Sequence, residues 1–256
     1  IALALFTRAP SSVEPTDFGQ VFLQHAEDLV ARVMDLDREV AMVKGLQVGE
    51  IALGVGPYAA EAIVPACVSR FSAAYPGLKL RVEMATPDVL ARRLRERGLD
   101  LIVAETSVIE ADEELELIAS LARIPAFILA RARHPLARAD GVTMADVMAY
   151  PFVHVTRMPP RIMRRLLATR GSRHRKSPVA PPPFPAIEVP TVPLAMSVVL
   201  DSDAVMLASL AMVRTQFRRK RIVPLVHEPW MHSEFGILRL RNRTLSPAAV
   251  ALVKLI

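Results

Sequence analysis

The sequence predicts an α/β protein in which a long helix precedes two units of alternating strands and helices. Residues 49–104 alternate between strand and helix patterns in the order β-α-β-α-β with short loops, an order typical of parallel strands joined by right-handed crossovers. Residues from about 125 to 222 show a second α/β pattern. Residues 17–44 follow a helical pattern, and an apolar content of 52% is ample for a core.

The first 48 residues predict a short apolar anchor, a long helix and a linker. Thr16 is expected to cap the helix, and Asp17 is favourable in its first turn. Apolar residues recur at alternating spacings of four and three, which is a heptad seam held for three repeats. The seam consists of Phe22, Ala26, Leu29, Val33, Leu36, Val40 and Val43. Two glycines make residues 44–49 a hinge-like linker.

This seam has two interpretations. In one, an amphipathic helix packs on its own domain, and in the other, two copies of the helix form a coiled-coil dimer. The helix is long and precedes the α/β unit without interrupting it, which favours the dimer. The residues predicted to make the dimer contact are Phe22, Leu29, Val33, Leu36 and Val40.

The first α/β unit contains a candidate pocket. Its predicted strands are 50–55, 78–84 and 99–104, and its predicted helices are 59–75 and 87–97, the second capped by Gly98. Small molecules bind such sheets at the carboxyl ends of parallel strands, near helix N-termini. We therefore expect the pocket at residues 56–60, 86–87 and 105–106.

The remaining elements form the second unit and then return to the first. Apolar runs predict strands at 115–122, 126–130, 151–155, 187–191, 204–208, 222–226 and 234–241. Helices are predicted at 144–148, 161–169 and 192–200. A further helix follows the strand at 204–208 and ends at about 217, and a last helix begins after Ser246. Residues 157–176 hold eight arginines and lysines and no acid. Because interleaved aromatic residues are missing, this run favours a solvated helix face with a loop over a nucleic-acid-binding stripe.

Composition bounds the function. A formal net charge of +6 permits an anionic partner but identifies none. The single cysteine, Cys67, excludes a disulfide framework, fits a reducing cytoplasm and is expected in the core. No apolar run reaches the roughly 18 residues of a membrane span, and the first residues lack a signal-peptide pattern. Because the chain begins with Ile, we expect that N-terminal residues of the natural protein precede it.

Motifs for cofactors, metals and catalysis are weak or missing. Residues 54–59 match the spacing of a dinucleotide-binding turn, with Glu83 as the candidate ribose ligand. Pro57 stiffens that turn and Pro65 interrupts the following helix, so no nucleotide cofactor is expected. The histidines and the cysteine lack metal-ligand spacing, and neither a nucleophile elbow nor a Walker loop occurs. No catalytic set assembles, so an enzyme is the weaker class.

Several short segments follow one another in a characteristic order. They are 4–8 with 15–19, then 49–54, Phe-x-x-x-Tyr-Pro at 71–76, a Leu-Asp-Leu run within 90–103, and His-Pro-Leu-Ala at 134–137. Together they resemble the LysR-type transcriptional regulators over almost the whole chain, with the first pair similar to the family's wing running into its linker helix. The chain departs from the family pattern in three places. The recognition helix is absent, Ser202 and Asp203 replace a Gly-rich start of a strand, and the loop 171–186 is basic and Pro-rich.

The resemblance implies two Rossmann-like subdomains of the type-2 periplasmic-binding-protein fold, preceded by the linker helix. The expected parts are a winged helix-turn-helix remnant at 1–15, the linker helix and hinge at 16–48, subdomain I at 49–123 and 225–256, and subdomain II at 124–224. It also implies a cytoplasmic dimer or tetramer that binds promoter DNA. A sugar, sugar acid or other carboxylate is the expected effector, bound in the cleft between the subdomains.

By the same resemblance, Thr7 and Arg8 contact DNA. The implied effector site comprises Pro57, Tyr58, Ala59, Thr86, Thr106, Thr156, Arg157 and Thr191. For three of these residues a simpler role stays open, because Thr86 and Thr191 also suit helix capping and Arg157 also suits an exposed basic run. An extracytoplasmic solute-binding protein of the same fold is a second hypothesis, since such a protein would not need the heptad helix. A cofactor-dependent enzyme is a third.

Overall fold

A computed structural model describes residues 3–9, 12–44, 49–108, 112–155, 158–174 and 182–256. Its strands are β1 (Phe6–Ala9), β2 (Ser12–Pro15), β3 (Gly49–Val55), β4 (Leu78–Met84), β5 (Leu101–Glu105), β6 (Leu115–Ser120), β7 (Ile124–Arg131), β8 (Phe152–Val155), β9 (Ile187–Val189), β10 (Val205–Ser209), β11 (Ile222–Val226), β12 (His232–Ser233) and β13 (Phe235–Leu240). Its α-helices are α1 (Asp17–Lys44), α2 (Pro57–Ala62), α3 (Val64–Ala74), α4 (Pro87–Arg95), α5 (Met144–Val147), α6 (Pro160–His174), α7 (Val192–Asp201), α8 (Arg214–Arg218) and α9 (Pro247–Val253).

The chain begins with an antiparallel ribbon, β1 and β2, that leads directly into α1. Thr16 caps the helix as predicted, since its Oγ1 accepts a hydrogen bond from the Gly19 N–H at 3.0 Å. A Cβ on Gly19 would lie 1.9 Å from the Leu5 carbonyl oxygen. The close approach of the ribbon to the first turn of α1 therefore requires glycine at this position.

The helix α1 has 28 residues and spans about 42 Å at ~1.5 Å per residue. Its five predicted dimer residues are 47 to 64% exposed in the single chain, and they are Phe22, Leu29, Val33, Leu36 and Val40. These side chains are thus not covered by the α/β part of their own chain. Of the predicted hinge at 44–49, residues 45–48 lie outside the described residues.

The first sheet has the strand order β4-β3-β5-β13-β6. Strand β3 lies parallel to both β4 and β5, so the predicted β-α-β-α-β unit with parallel strands is present. The chain returns late to this sheet, because β13 inserts antiparallel between β5 and β6. These strands and their helices form subdomain I.

Two helices of subdomain I differ from their predicted bounds. The helix expected at 59–75 is divided at Ile63 into α2 and α3, and this is the interruption expected from Pro65, because proline cannot donate a backbone hydrogen bond and its ring crowds the preceding turn. The second difference concerns the end of α4, where Arg97 and not Gly98 adopts the left-handed conformation, with φ of 58°, while the Gly98 N–H caps the helix by donating to the Arg93 carbonyl at 2.9 Å. A Cβ on Gly98 would approach the Arg93 guanidinium to 3.1 Å, so glycine at this position leaves room for Arg93.

The second sheet has the order β11-β7-β10-β8-β9, and β12 also pairs with β7. Strand β8 lies parallel to β9 and β10, whereas β7 is antiparallel to β10 and β11. This sheet and its helices form subdomain II, the second α/β unit expected from the sequence. Two segments connect the subdomains, one at 121–124 and one at 226–235.

A large apolar cluster joins the two subdomains, since it contains Val55 and Phe71 of subdomain I together with Val155 and Met212 of subdomain II. Cys67 is buried within it, as predicted. Burial raises the pKa of its thiol. Of the helices in the described ranges, none is long and apolar enough to cross a membrane.

Candidate ligand-binding cleft

A small cavity lies at the boundary of the subdomains, where strands of both sheets end. Its volume is about 20 Å³, and its lining includes Tyr58, Glu105 and Ser233 on one side and Met158, Ile162 and Leu207 on the other. A cavity of this size holds about one water molecule, which needs roughly 10–15 Å³. The cleft therefore has little free space between the two subdomains.

Tyr58 links the two subdomains directly. It lies in the first turn of α2, which begins at Pro57 after the end of β3. Its hydroxyl donates a hydrogen bond of 3.2 Å to the carbonyl oxygen of Val155, the last residue of β8. Burial raises the pKa of the Tyr58 phenol, and the charge of Glu105 acts in the same direction. The phenol is consequently a neutral hydrogen-bond donor near pH 7.

A second link joins Glu105, at the end of β5, to Arg161, in the first turn of α6. Arg161 Nη2 lies 3.2 Å from Glu105 Oε1, and the Glu234 N–H donates to Glu105 Oε2 at 2.9 Å. Arg161 Nη1 donates to the Trp230 carbonyl at 3.2 Å, and Nη2 also donates to the His232 carbonyl. One guanidinium therefore holds together β5, α6 and the connecting segment 226–235.

The electrostatics of this link are unbalanced. Burial raises the pKa of Glu105, whereas the hydrogen bond from the Glu234 N–H and the charge of Arg161 lower it, and burial dominates. Arg161 Nε is buried without a hydrogen-bond partner among the described residues. The pair thus leaves a carboxylate poorly solvated and one guanidinium donor unused.

Glu234 lies behind this pair, in the connecting segment. Its carboxylate accepts from His232 Nε2 at 2.9 Å and contacts Arg123 Nε at 2.8 Å. Burial raises the pKa of Glu234, but the hydrogen bond from His232 and the charges of Arg161 and Arg123 outweigh it and lower the pKa overall. Glu234 accordingly stays ionised and anchors the segment that crosses between the subdomains.

The residues that the sequence predicted for the site have different positions. Tyr58 lines the cavity, while Pro57 and Ala59 are buried beside it without lining it. Thr106 is buried and donates to the Glu234 carbonyl at 3.3 Å. Thr156 and Arg157 lie outside the described residues.

The two threonines with an alternative role as helix caps also differ from each other. The Thr191 hydroxyl accepts a long hydrogen bond of 3.4 Å from the Leu194 N–H, so it caps α7. Thr86 occupies the capping position of α4, yet its side chain makes no capping hydrogen bond. Neither threonine lines the cavity, so the structure does not bring them together with Tyr58 there.

Arg161 was missed by the sequence analysis because it belongs to the basic run at 157–176. Within that run Arg164 and Arg165 are exposed on α6, as a solvated face requires. Arg161 is partly buried and pairs with Glu105, so the solvated-face interpretation was wrong for this residue. Its position directly after Pro159 and Pro160, at the start of a helix, is the only local signal that distinguishes it.

A larger and more open groove of about 360 Å³ adjoins the cleft. It runs between α2 and α3 of subdomain I and α7 and the turn before α8 of subdomain II, with Glu61, Pro193, Met196 and Arg214 in its lining. Met212 lines both this groove and the small cavity. Met212 is thus the residue that the two linings have in common.

Comparison with known proteins identifies the family. A family model described as the LysR substrate binding domain matches residues 44–256. This chain belongs to the LysR family of transcriptional regulators.

Curated relatives in the LysR family carry matching descriptions. The SDS degradation transcriptional activation protein of Pseudomonas sp. (strain ATCC 19151) is 32% identical over 259 residues, covering 98% of this chain and 80% of that protein. The HTH-type transcriptional regulator GbpR of Azospirillum brasilense is 27% identical over 253 residues, covering 97% of this chain and 71% of that protein. The chain is therefore a regulator with an effector-binding domain and not an extracytoplasmic solute-binding protein.

Solved LysR-family structures share the fold. A full-length OxyR variant from Pseudomonas aeruginosa matches with a TM-score of 0.66 at 14% identity, over 98% of this chain and 78% of that chain. Full-length CbnR in complex with its target DNA matches with a TM-score of 0.61 at 13% identity, over 99% of this chain and 83% of that chain. Full-length BenM matches with a TM-score of 0.60 at 21% identity, over 98% of this chain and 80% of that chain. The expected type-2 periplasmic-binding-protein fold is confirmed.

Proposed function

We propose that this LysR-family regulator acts as a homodimer joined through α1, in which an effector bound between the subdomains changes how the dimer holds promoter DNA. The observation that carries this proposal is the cleft itself, because residues of both subdomains line one small cavity at the ends of their strands. Parallel α/β sheets bind ligands at such strand ends. The proposed role is binding and regulation in the cytoplasm, with no catalytic step.

The contacts across the cleft make it suitable as a switch. The Tyr58 hydroxyl to Val155 and the Arg161 to Glu105 pair both span the boundary, so any change in the relation between the subdomains must alter them. A ligand shifts such an equilibrium only by its difference in affinity for the two forms. A molecule that occupies the closed cavity must rearrange these contacts, which supplies that difference.

The chemistry of the cleft favours an anion with an apolar part. Arg161 does not line the cavity itself but pairs with Glu105, which does, so its positive charge becomes available to a ligand that replaces Glu105. Met158, Ile162 and Leu207 supply apolar surface. Among the effector classes expected from the sequence, carboxylates fit this combination better than neutral sugars do. The name of the relative concerned with SDS degradation adds alkyl sulfates to the proposed class.

The parts proposed to reach DNA precede the effector domain. Thr7 and Arg8 lie on the exposed ribbon next to the start of α1. The Thr7 hydroxyl donates to the Glu14 carbonyl at 3.1 Å, which joins the two strands of the ribbon. Arg8 is exposed and able to contact a phosphate or the minor groove, where arginine commonly binds. The dimer through α1 would present two such ribbons.

The proposed function is tested by titrating the chain with a library of carboxylates, sugar acids and alkyl sulfates. Ligands are first found by thermal shift, because a ligand that binds the folded state alone raises the melting temperature. Fluorescence anisotropy with labelled promoter DNA then measures whether each ligand changes DNA affinity. Several-fold changes by at least one ligand support the proposal, and a full library without any thermal shift or change in DNA affinity contradicts it.

A further inference from the structure

We propose that Arg161 is the anion receptor of the cleft and that Glu105 occupies this receptor in the absence of ligand. A carboxylate or sulfate ester would then bind by displacing the Glu105 side chain from the guanidinium. This inference rests on the proposed function of the cleft as an effector site, and it names both the chemical class of the effector and the residue that it replaces.

The geometry of the pair is that of an exchangeable contact. In a guanidinium, the Nε–H and one Nη2–H lie along the same edge and can hold a carboxylate as a two-pronged fork. Here Glu105 uses only Nη2, at 3.2 Å, and Nε is buried without a hydrogen-bond partner in the described part of the chain. A free carboxylate or sulfate can engage both donors, which Glu105 does not do from the end of β5.

The Glu105 carboxylate accepts from three donors. Its Oε2 accepts from the Glu234 N–H at 2.9 Å, and its Oε1 is shared between Arg161 Nη2 at 3.2 Å and the Ser107 hydroxyl at 3.4 Å. Glu105 also lines the small cavity, which means that its displacement opens space where the ligand would sit. An anion that takes its place retains the charge balance of Arg161, so the guanidinium is never left buried without a negative partner.

The surroundings indicate where an apolar part of the ligand would lie. Met158, Ile162, Leu207 and Met212 line the cavity next to Glu105. Met212 also lines the groove of about 360 Å³, and methionine side chains adapt easily to new neighbours. Rotation of Met212 would join the two spaces, giving room for an alkyl chain that the closed cavity of about 20 Å³ cannot hold.

The chain contains its own reporter for this exchange. Trp230 is the single tryptophan of the sequence, and its carbonyl accepts from Arg161 Nη1 at 3.2 Å. Its fluorescence is therefore expected to change when Arg161 turns from Glu105 to a ligand. The probes are octyl sulfate and octanoate, kept below micelle-forming concentrations, with 1-octanol as the uncharged control.

Two substitutions separate the receptor from its internal occupant. Glu105→Gln keeps the shape and an acceptor oxygen but removes the competing charge, so it should tighten binding of both anions about tenfold. Arg161→Gln removes the receptor and should abolish saturable binding, while Arg161→Lys keeps the charge without the fork and should bind more weakly than the native chain. The matched control is Glu116→Gln. Glu116 lies on β6, its Oε2 is 2.8 Å from Arg239 Nε, and it does not belong to the cleft lining.

The experiment is a Trp230 fluorescence titration of the 256-residue chain and these variants, with circular dichroism to verify that each variant is folded. Equal affinity of the native chain and Glu105→Gln for the anions would overturn the inference. Binding that survives Arg161→Gln, or no binding of either anion to Glu105→Gln, would overturn it as well. If another ligand still changes DNA affinity independently of Arg161, the proposed function stands and only the anion receptor is refuted.

Discussion

At the scale of single residues, His134 accounts for the His-Pro-Leu-Ala segment in physical terms. Its Nδ1 accepts from the Leu136 N–H at 3.1 Å, and its Nε2 lies 3.1 Å from the Asp203 carbonyl oxygen. Both contacts are satisfied together when Nε2 carries the proton and Nδ1 does not. His134 thus joins the turn after β7 to the turn before β10, provided that the ring is neutral.

Two buried histidines make stability depend on pH. Burial lowers the pKa of His134 and of His154, and His154 Nε2 accepts from the Met158 N–H at 3.1 Å. Because these pKa values are lower in the folded protein, the unfolded chain binds protons first as pH falls below about 6.5. We expect the contribution of these two histidines to the free energy of unfolding to be complete above that pH. This contribution should decrease as pH falls through the pKa values of the folded state.

The measurement is urea unfolding at several pH values between about 7.5 and about 5, which bracket the ordinary histidine pKa. His134→Asn retains an acceptor for the Leu136 N–H and loses the contact to Asp203, so at the upper pH it should cost about 1 kcal/mol. It should also flatten the pH dependence, because one of the two depressed groups is gone. His25→Asn, at an exposed site on α1, serves as the control, and an equal flattening in that variant would contradict the assignment to His134.

Residue-level prediction succeeded where the physics is local. Thr16 and Ser246 cap their helices as a nearby hydroxyl should, and Thr191 makes the capping bond that was left open as the alternative to effector binding. It failed for Arg161, whose partner Glu105 is 56 residues away and meets it only when both subdomains are assembled. Ser202 and Asp203 depart from the Gly-rich pattern of the family at the start of a strand. Asp203 has a long-range partner there, since its Oδ1 accepts from Arg131 Nη2 at 2.7 Å.

At the scale of elements, α1 carries the clearest prediction. The substitutions Leu29→Asp and Leu36→Asp, introduced together, place charges in the predicted seam, where an unpaired buried charge is costly. We expect sedimentation or light scattering to show loss of the dimer contact made through α1. Gln24→Asp introduces the same residue on the outer face of the heptad and should leave assembly unchanged. A native chain that is monomeric at tens of micromolar would contradict the coiled-coil interpretation.

A second prediction at this scale concerns the end of α8. Lys220 follows this helix with φ of 52°, a left-handed conformation that a side chain disfavours. Lys220→Gly should therefore stabilise the protein by about 0.5–1 kcal/mol, because glycine is the usual residue at this position. Arg219→Gly changes the neighbouring residue, whose φ is −79°, and should destabilise it slightly. Equal thermal shifts in both variants would show that the left-handed conformation at Lys220 costs little.

Element types were predictable to the extent that one apolar pattern decided them. The strands β3 and β4 and the helix α1 follow directly from their spacing of apolar residues. Helix ends were less predictable. Pro65 indicated the interruption of the helix at 59–75, but the left-handed conformation of Arg97 does not follow from the apolar pattern. The long return of β13 between β5 and β6 could be expected only as a return to the first sheet, since pairing partners are set by tertiary packing.

At the scale of the whole molecule, the proposed regulation requires that one change at the cleft reaches two distant ribbons. The large apolar cluster contains residues of both subdomains. Because such a core is closely packed, the subdomains can rearrange relative to each other in few ways. The α1 seam then connects two effector domains in the proposed dimer. The double seam variant should consequently still bind ligand in its cleft, while its DNA affinity should fall and lose any response to ligand.

Arg8 tests the DNA-binding end of this arrangement. An arginine that contacts phosphate contributes to affinity and to its salt dependence on all sequences, by roughly one unit of the logarithmic salt slope per contact. Arg8→Ala should therefore weaken DNA binding and lower that slope by up to about two units in a dimer, which carries two copies of Arg8. Anisotropy titrations with promoter and scrambled DNA at several salt concentrations measure both quantities. Arg219→Ala removes the same charge from an exposed site after α8 in subdomain II, so an equal loss in that variant would show that overall charge is responsible and that Arg8 makes no specific contact with DNA.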